Sequence, residues 1–258
     1  MRSELVRLAG GLLLLAACER TFLPLRGRIA VGSDPMVVFV GGAGPAGGDL
    51  YALPTAGGRA IPITFSPVGE MRPALSPDGG AVAFLRGGSL TDSLPASVWV
   101  MNLTNGTERE VRLPGGAGAP EQVGWTGEGR ALVIRAGGRL YRTGAPPARD
   151  VAVPVAGAER AAAESALAVL LGRPVFARAV PCADGENLCV LGDTGSPALL
   201  AAKAREPARW GDDSVAYLEG GRLVVRPLGA GRARVVEWSA VPPRPRQPTV
   251  FAGATAGR

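Results

Sequence analysis

Four acidic residues recur at matching places in short polar turns: Asp78 in "SPDG", Glu128 in "TGEG", Asp184 in "CADGEN" and Asp212 in "WGDDS". Carboxylates repeated in this way could ring an axis and hold a cation, or each could accept backbone hydrogen bonds inside its own turn. A site needs convergence, and repeats set their copies far apart. The four are therefore expected to be structural, with Ser76, Pro77 and Gly79 completing the best-formed turn. The chain has no histidine, which removes the commonest general base, the commonest zinc ligand and every Ser-His-Asp or Cys-His pairing. The Gly-rich stretches 41–48 and 115–120 lack a following Gly-Lys-Ser/Thr and are expected to be hairpin loops rather than phosphate cradles. Gly-x-Ser-x-Gly is absent as well. No catalytic residue, cofactor or metal ligand is expected.

The three cysteines divide by position. Cys18 ends "MRSELVRLAGGLLLLAAC", where Arg2 and Arg7 precede an apolar run too short to span a bilayer. Leu15-Ala16-Ala17-Cys18 resembles the bacterial lipobox, so residues 1–17 are expected to be a lipoprotein signal peptide and Cys18 the lipidated residue. Residues 18–26 would then form a short tether, held to the membrane by acyl chains at about 0.8 kcal/mol per buried CH2. Glu19, standing where Asp would resemble an inner-membrane retention signal, favours the outer membrane over the inner. Cys182 and Cys189 flank a turn in "PCADGENLC". With Asp184–Asn187 as the loop, Ala183 pairs with Leu188 and Cys182 lies opposite Cys189, within disulfide reach. Export to an oxidising compartment favours the bridge. The rivals are a two-ligand metal site, which lacks further ligands, and two free thiols.

The turns precede strands. After Ser76–Gly79, Val82 and Phe84 alternate with Ala81 and Ala83, predicting a half-buried strand. "SVWVMNL" (97–103) and "EREVRL" (108–113) follow as further strands, and the order recurs from residues 125, 182 and 210, with a weaker copy from 32. A period of roughly 40–50 residues with about four short strands per unit indicates a propeller. A sandwich would not explain the same acidic turn before the same strand. The expectation is an all-β fold, a β-propeller of about five or six blades over residues 27–238. One short helical insertion at about 157–172 is expected to pack on its side or to dock a partner. A sixth, eroded blade could lie within 144–181. The Pro- and Arg-rich tail, 239–258, is expected to be extended or to supply a ring-closing strand. The net charge of +6 comes from dispersed arginines without aromatic interleaving, so nucleic acid is not an expected partner.

"RPALSPDGGAVAF" followed by "SVWVMNLTNG" resembles the TolB-type, WD40-like propeller repeat. Pro73, Ser76, Pro77, Asp78, Gly79, Ala83, Phe84, Trp99, Met101 and Asn102 carry the match. Family-like sequence covers about residues 30–238, and the resemblance is to the repeat class rather than to TolB as a whole. It implies a binding or scaffold module at the cell envelope, anchored to the membrane through lipid on Cys18 and engaging an envelope protein. Two alternatives remain open. One is a calcium-assisted propeller enzyme of lactonase or sugar/quinone-dependent type, and the other is an outer-membrane assembly factor.

Overall fold

The apolar run after each polar turn becomes the second strand of a sheet, and these strands are covered on both faces. Strand β1 (Met36–Gly41) is buried along its whole length. A strand enclosed on both sides need not alternate apolar with polar residues. The same reason corrects the half-buried expectation for residues 81–86, where Val82, Ala83, Phe84 and Leu85 are all buried. The computed structural model describes residues 24–42, 48–87, 95–144, 150–171, 177–192 and 195–253. Cys18 and the signal segment lie outside the described residues.

Five four-stranded sheets form the five blades of a propeller. The first contains β1, β2 (Asp49–Pro54) and β4 (Ile61–Pro62), the second β5 (Glu70–Leu75), β6 (Ala81–Arg86), β7 (Ser97–Asn102) and β8 (Glu108–Val111). The third is β9 (Pro120–Trp125), β10 (Leu132–Ala136), β11 (Arg139–Thr143) and β12 (Ala152–Pro154). The fourth is β13 (Leu170–Leu171), β14 (Ala177–Pro181), β15 (Leu188–Gly192) and β16 (Pro197–Ala201). The fifth is β17 (Ala204–Trp210), β18 (Ser214–Glu219), β19 (Arg222–Pro227) and β20 (Arg234–Val235). The propeller implied by the TolB-type repeat is therefore present, with five blades.

The ring is closed twice between the fifth and first blades. In the C-terminal tail, β22 (Arg246–Phe251) pairs antiparallel with β1, Met36 opposite Phe251, and becomes the innermost strand of the first blade. Farther out, β3 (Gly58–Arg59) pairs in parallel with β21 (Trp238–Ser239), and the Trp238 ring lies 4.9 Å from Phe39. The ordered propeller thus runs on to Phe251.

Four of the five seams between blades are sheet on sheet, with apolar side chains of adjacent blades forming continuous clusters. Between the third and fourth blades the chain forms a helix that packs on the third. A 3-10 turn (Gly157–Glu159) leads into α1 (Arg160–Leu167), whose Ala163 and Leu167 pack on Val133 and Leu140. The helix ends at Leu167, five residues short of the expected boundary at 172. At Ala168 the backbone turns extended, because the chain must enter β13, where the Val169 carbonyl accepts the Ala179 N–H at 2.9 Å. By its turn, β14 occupies the place held by β5, β9 and β17 elsewhere, with β13 added inside it. That addition accounts for the uneven repeat spacing without a sixth blade. The insertion packs on the third blade, against β9, β10 and β11.

One buried charge joins the first two blades. Glu70 is fully buried; it accepts from Thr64 Oγ1 and from Arg86 Nη2 (2.7 Å) and Nε (3.1 Å). Arg86 also pairs with Glu108 at 2.8 Å and stacks 4.5 Å from the Trp99 ring. Among the described residues, no helix is long and apolar enough to cross a membrane.

Candidate functional site

The innermost strands surround a central channel of about 720 Å³, lined by Arg72–Leu75, Gln122–Trp125, Arg178–Pro181, Glu206–Arg209 and Gln247–Val250. The end of α1 and the residues after it, Glu164–Leu170, form the rest of the wall together with Pro77 and Arg135. Arg135 Nη2 meets Glu164 Oε2 at 2.6 Å, and Gln122 Nε2 donates to the Leu167 carbonyl at 2.7 Å.

Three wall residues share an unusual backbone. Arg72, Glu206 and Gln247 have φ of +54°, +55° and +51°, each just before a proline and each at a bulge in its inner strand. A left-handed non-glycine residue is strained, and a following proline disfavours it further. The strain is held by a relay between blades. Glu206 Oε2 accepts the Gln247 N–H at 2.6 Å, and Gln247 Oε1 accepts the Arg72 N–H at 2.6 Å. Each side chain thereby fixes the bulge of the next blade. The four-residue turn motif does not reveal these three residues. The available signal was a proline two or three residues before the end of each of these inner strands: Pro73, Pro207 and Pro248.

The acids expected in the turns are held locally. Asp78 Oδ1 accepts from Ser76 Oγ (2.5 Å) and the Gly80 N–H (2.9 Å), and these bonds, the Ser76 hydroxyl foremost, hold its carboxyl below the usual carboxylate range. Asp184 accepts from the N–H groups of Asn187 and Glu186, both at 2.9 Å, which lower its carboxyl likewise. Glu128 lies 3.4 Å from Arg130 on the surface, and Asp212 takes the Arg209 guanidinium at 2.6 Å. Three of the turns share one geometry, in which the fourth residue is a left-handed glycine whose N–H returns to the first carbonyl: Gly79 to Ser76, Gly129 to Thr126 and Gly185 to Cys182. Asp212 departs from this pattern, because its turn is a three-residue loop between paired Trp210 and Ser214 with glycine first. Neighbouring turns also touch, with Pro77 packing beside Gly129 and the Phe251 ring beside Gly79. None of the four acids lines the channel, and among the described residues no group of three or more His, Cys, Asp or Glu could hold a metal.

Cys182 and Cys189 are joined by a disulfide, with Cα atoms 5.1 Å apart. The register differs from the expected one by two residues. Pro181 pairs with Leu188 and Val180 with Cys189, while the Cys182 N–H donates to the Asn187 carbonyl. Asn187 closes the loop because its side chain donates to Asp184 and accepts from the Lys203 N–H. The bridge therefore runs diagonally across the hairpin.

No family model matches the sequence, and no curated protein matches it. Among solved structures, the fold is similar to TolB from Acinetobacter baumannii (TM-score 0.43, 15% identity, 86% of this chain and 67% of that one). It is also similar to the tricorn protease (TM-score 0.34, 15% identity, 81% and 21%) and to the dihydro-heme d1 dehydrogenase NirN (TM-score 0.33, 18% identity, 84% and 46%). At these identities and TM-scores the likenesses carry no functional argument, and the propeller assignment stands on the five sheets themselves.

Proposed function

We propose that the chain is a lipid-anchored envelope β-propeller that acts as a protein-binding or scaffold module and performs no catalysis. The observation that carries this reading is the local commitment of Asp78, Glu128, Asp184 and Asp212. These are the recurring acids that a calcium-assisted propeller enzyme would aim at its axis, and here each is held in its own turn or by an arginine. Large apolar side chains are instead presented outward at Phe65, Val153 and Leu199. Acyl chains on Cys18 would hold these surfaces close to the membrane.

The test uses the full chain in a Gram-negative host. Alkyne-palmitate labelling and membrane fractionation are expected to be lost with Cys18→Ser. A photocrosslinking residue placed in turn at 65, 153 and 199 is expected to trap a discrete envelope protein. Absence of adducts at all three positions, together with thermal stabilisation by calcium, would overturn the scaffold reading in favour of an enzyme.

A further inference from the structure

We propose that the central channel is a binding site for a polyanionic ligand, held between Arg72 of the second blade and Arg178 of the fourth. The inference goes beyond the scaffold reading and does not rest on it. At about 720 Å³ the channel lies within the range of ligand cavities. Four arginines and two glutamates line it. Arg135 is paired with Glu164, and Arg209 with Asp212. Glu206 is committed to the Gln247 N–H. The guanidinium groups of Arg72 and Arg178 have no hydrogen-bond or ion-pair partner among the described residues, and both residues are exposed. The wall therefore carries a net positive charge, with its two uncommitted cations on different blades.

The position of Arg72 is built rather than incidental. Its left-handed backbone is held by the Gln247 amide, which is itself held by Glu206, so strain in three blades sets where this side chain leaves the wall. Guanidinium groups match carboxylate and phosphate oxygens through paired N–H donors. Arg72 and Arg178 belong to blades separated by the third, so one anionic group satisfies one of them and a ligand with two or more satisfies both. The shared chemistry is a polyanion, either a small polycarboxylate or polyphosphate or an acidic segment of a protein.

The test is calorimetric titration of the full chain in detergent with citrate, tripolyphosphate and a capped hexaglutamate peptide, with capped hexaglutamine as the neutral control. Saturable binding of at least one anion and none of hexaglutamine is expected. Arg72→Gln and Arg178→Gln should each weaken that binding by about tenfold, and the double variant should abolish it, while Arg139→Gln on the exposed third blade leaves it unchanged. Binding of citrate or tripolyphosphate assigns a small-molecule source, and binding of hexaglutamate alone assigns a protein segment. No binding of any of the three, or binding equal in the wild type and the double variant, overturns the proposal. Circular dichroism of each variant checks that the ring is intact. Failure here leaves the crosslinking result untouched, so the two readings fail separately.

Discussion

Replacing Gly124 with alanine puts the packing of α1 on the third blade under direct strain. A Cβ built at Gly124 would sit 2.3 Å from the Ala166 carbonyl oxygen and 3.2 Å from Leu167 Cδ2. Ordinary contact begins near 3.4 Å, so the end of α1 must retreat from β9 by ~1 Å or detach. Detachment would uncover Leu167, now 8% exposed, at a cost of about 1.5–3 kcal/mol. It would also break the Gln122–Leu167 hydrogen bond, about 1 kcal/mol. Regained conformational freedom of the freed turn offsets part of this, leaving a net loss of about 2–3 kcal/mol. For a domain of this size that lowers Tm by roughly 5–10 °C. Urea and thermal unfolding by circular dichroism read the loss, and hydrogen exchange of residues 163–167 locates it. Gly127→Ala is the control, since nothing lies within 4 Å of its Cβ position, and it should stay within about 0.5 kcal/mol of wild type. A Gly124→Ala chain as stable as that control, with helix protection unchanged, would refute the claim that α1 is held on the third blade through this close contact.

Glu70 and Asp78 should respond to pH in opposite directions. Burial pushes the Glu70 carboxyl above its ordinary value against the hydrogen bonds from Thr64 and Arg86. Relative to Glu70→Gln, the wild type is then most stable in acid and loses that advantage as pH rises from the ordinary carboxylate range to the folded value. Urea midpoints of both chains from acid to neutral pH check this, and an advantage growing with pH would contradict it. Asp78, held low by Ser76 and Gly80, should outperform Asp78→Asn above the ordinary range and lose the difference as pH falls through its folded value. Reduction of the Cys182–Cys189 bridge, a loop of sequence separation 7, should cost about 2–3 kcal/mol in the same urea assay, and an unchanged midpoint would argue against the chain-entropy account. Deleting residues 246–258 removes the innermost strand of the first blade, so cooperative unfolding should be lost in calorimetry. A sharp transition at the wild-type temperature would show that β22 is dispensable.

The architecture was legible because its signals are local. A glycine at the end of "SPDG", "TGEG" or "CADG" supplies the left-handed residue that the turn needs, and the apolar run behind it has few alternatives to a strand. The local fate of Asp78 and Asp184 followed from the same chemistry. The turn at Asp212 looked equivalent in composition but is built on a different glycine position, which spacing alone does not distinguish. The cysteine pair was legible as a pair, while its register depended on Asn187 and its contact with Lys203 in the turn leading to the next blade.

The candidate site was legible only in fragments. Arg72-Pro73, Glu206-Pro207 and Gln247-Pro248 are unremarkable dipeptides until three blades bring them side by side, up to 175 residues apart in the chain. Their relay, the packing of the helix on the third blade and the last strand closing onto the first all depend on contacts between distant segments. By itself the sequence determined turns, strands and repeat, since these depend on residues within a few positions of one another. Only the tertiary structure decided the blade count, the strained wall and the set of arginines brought to the channel, because ring closure sets which distant side chains meet.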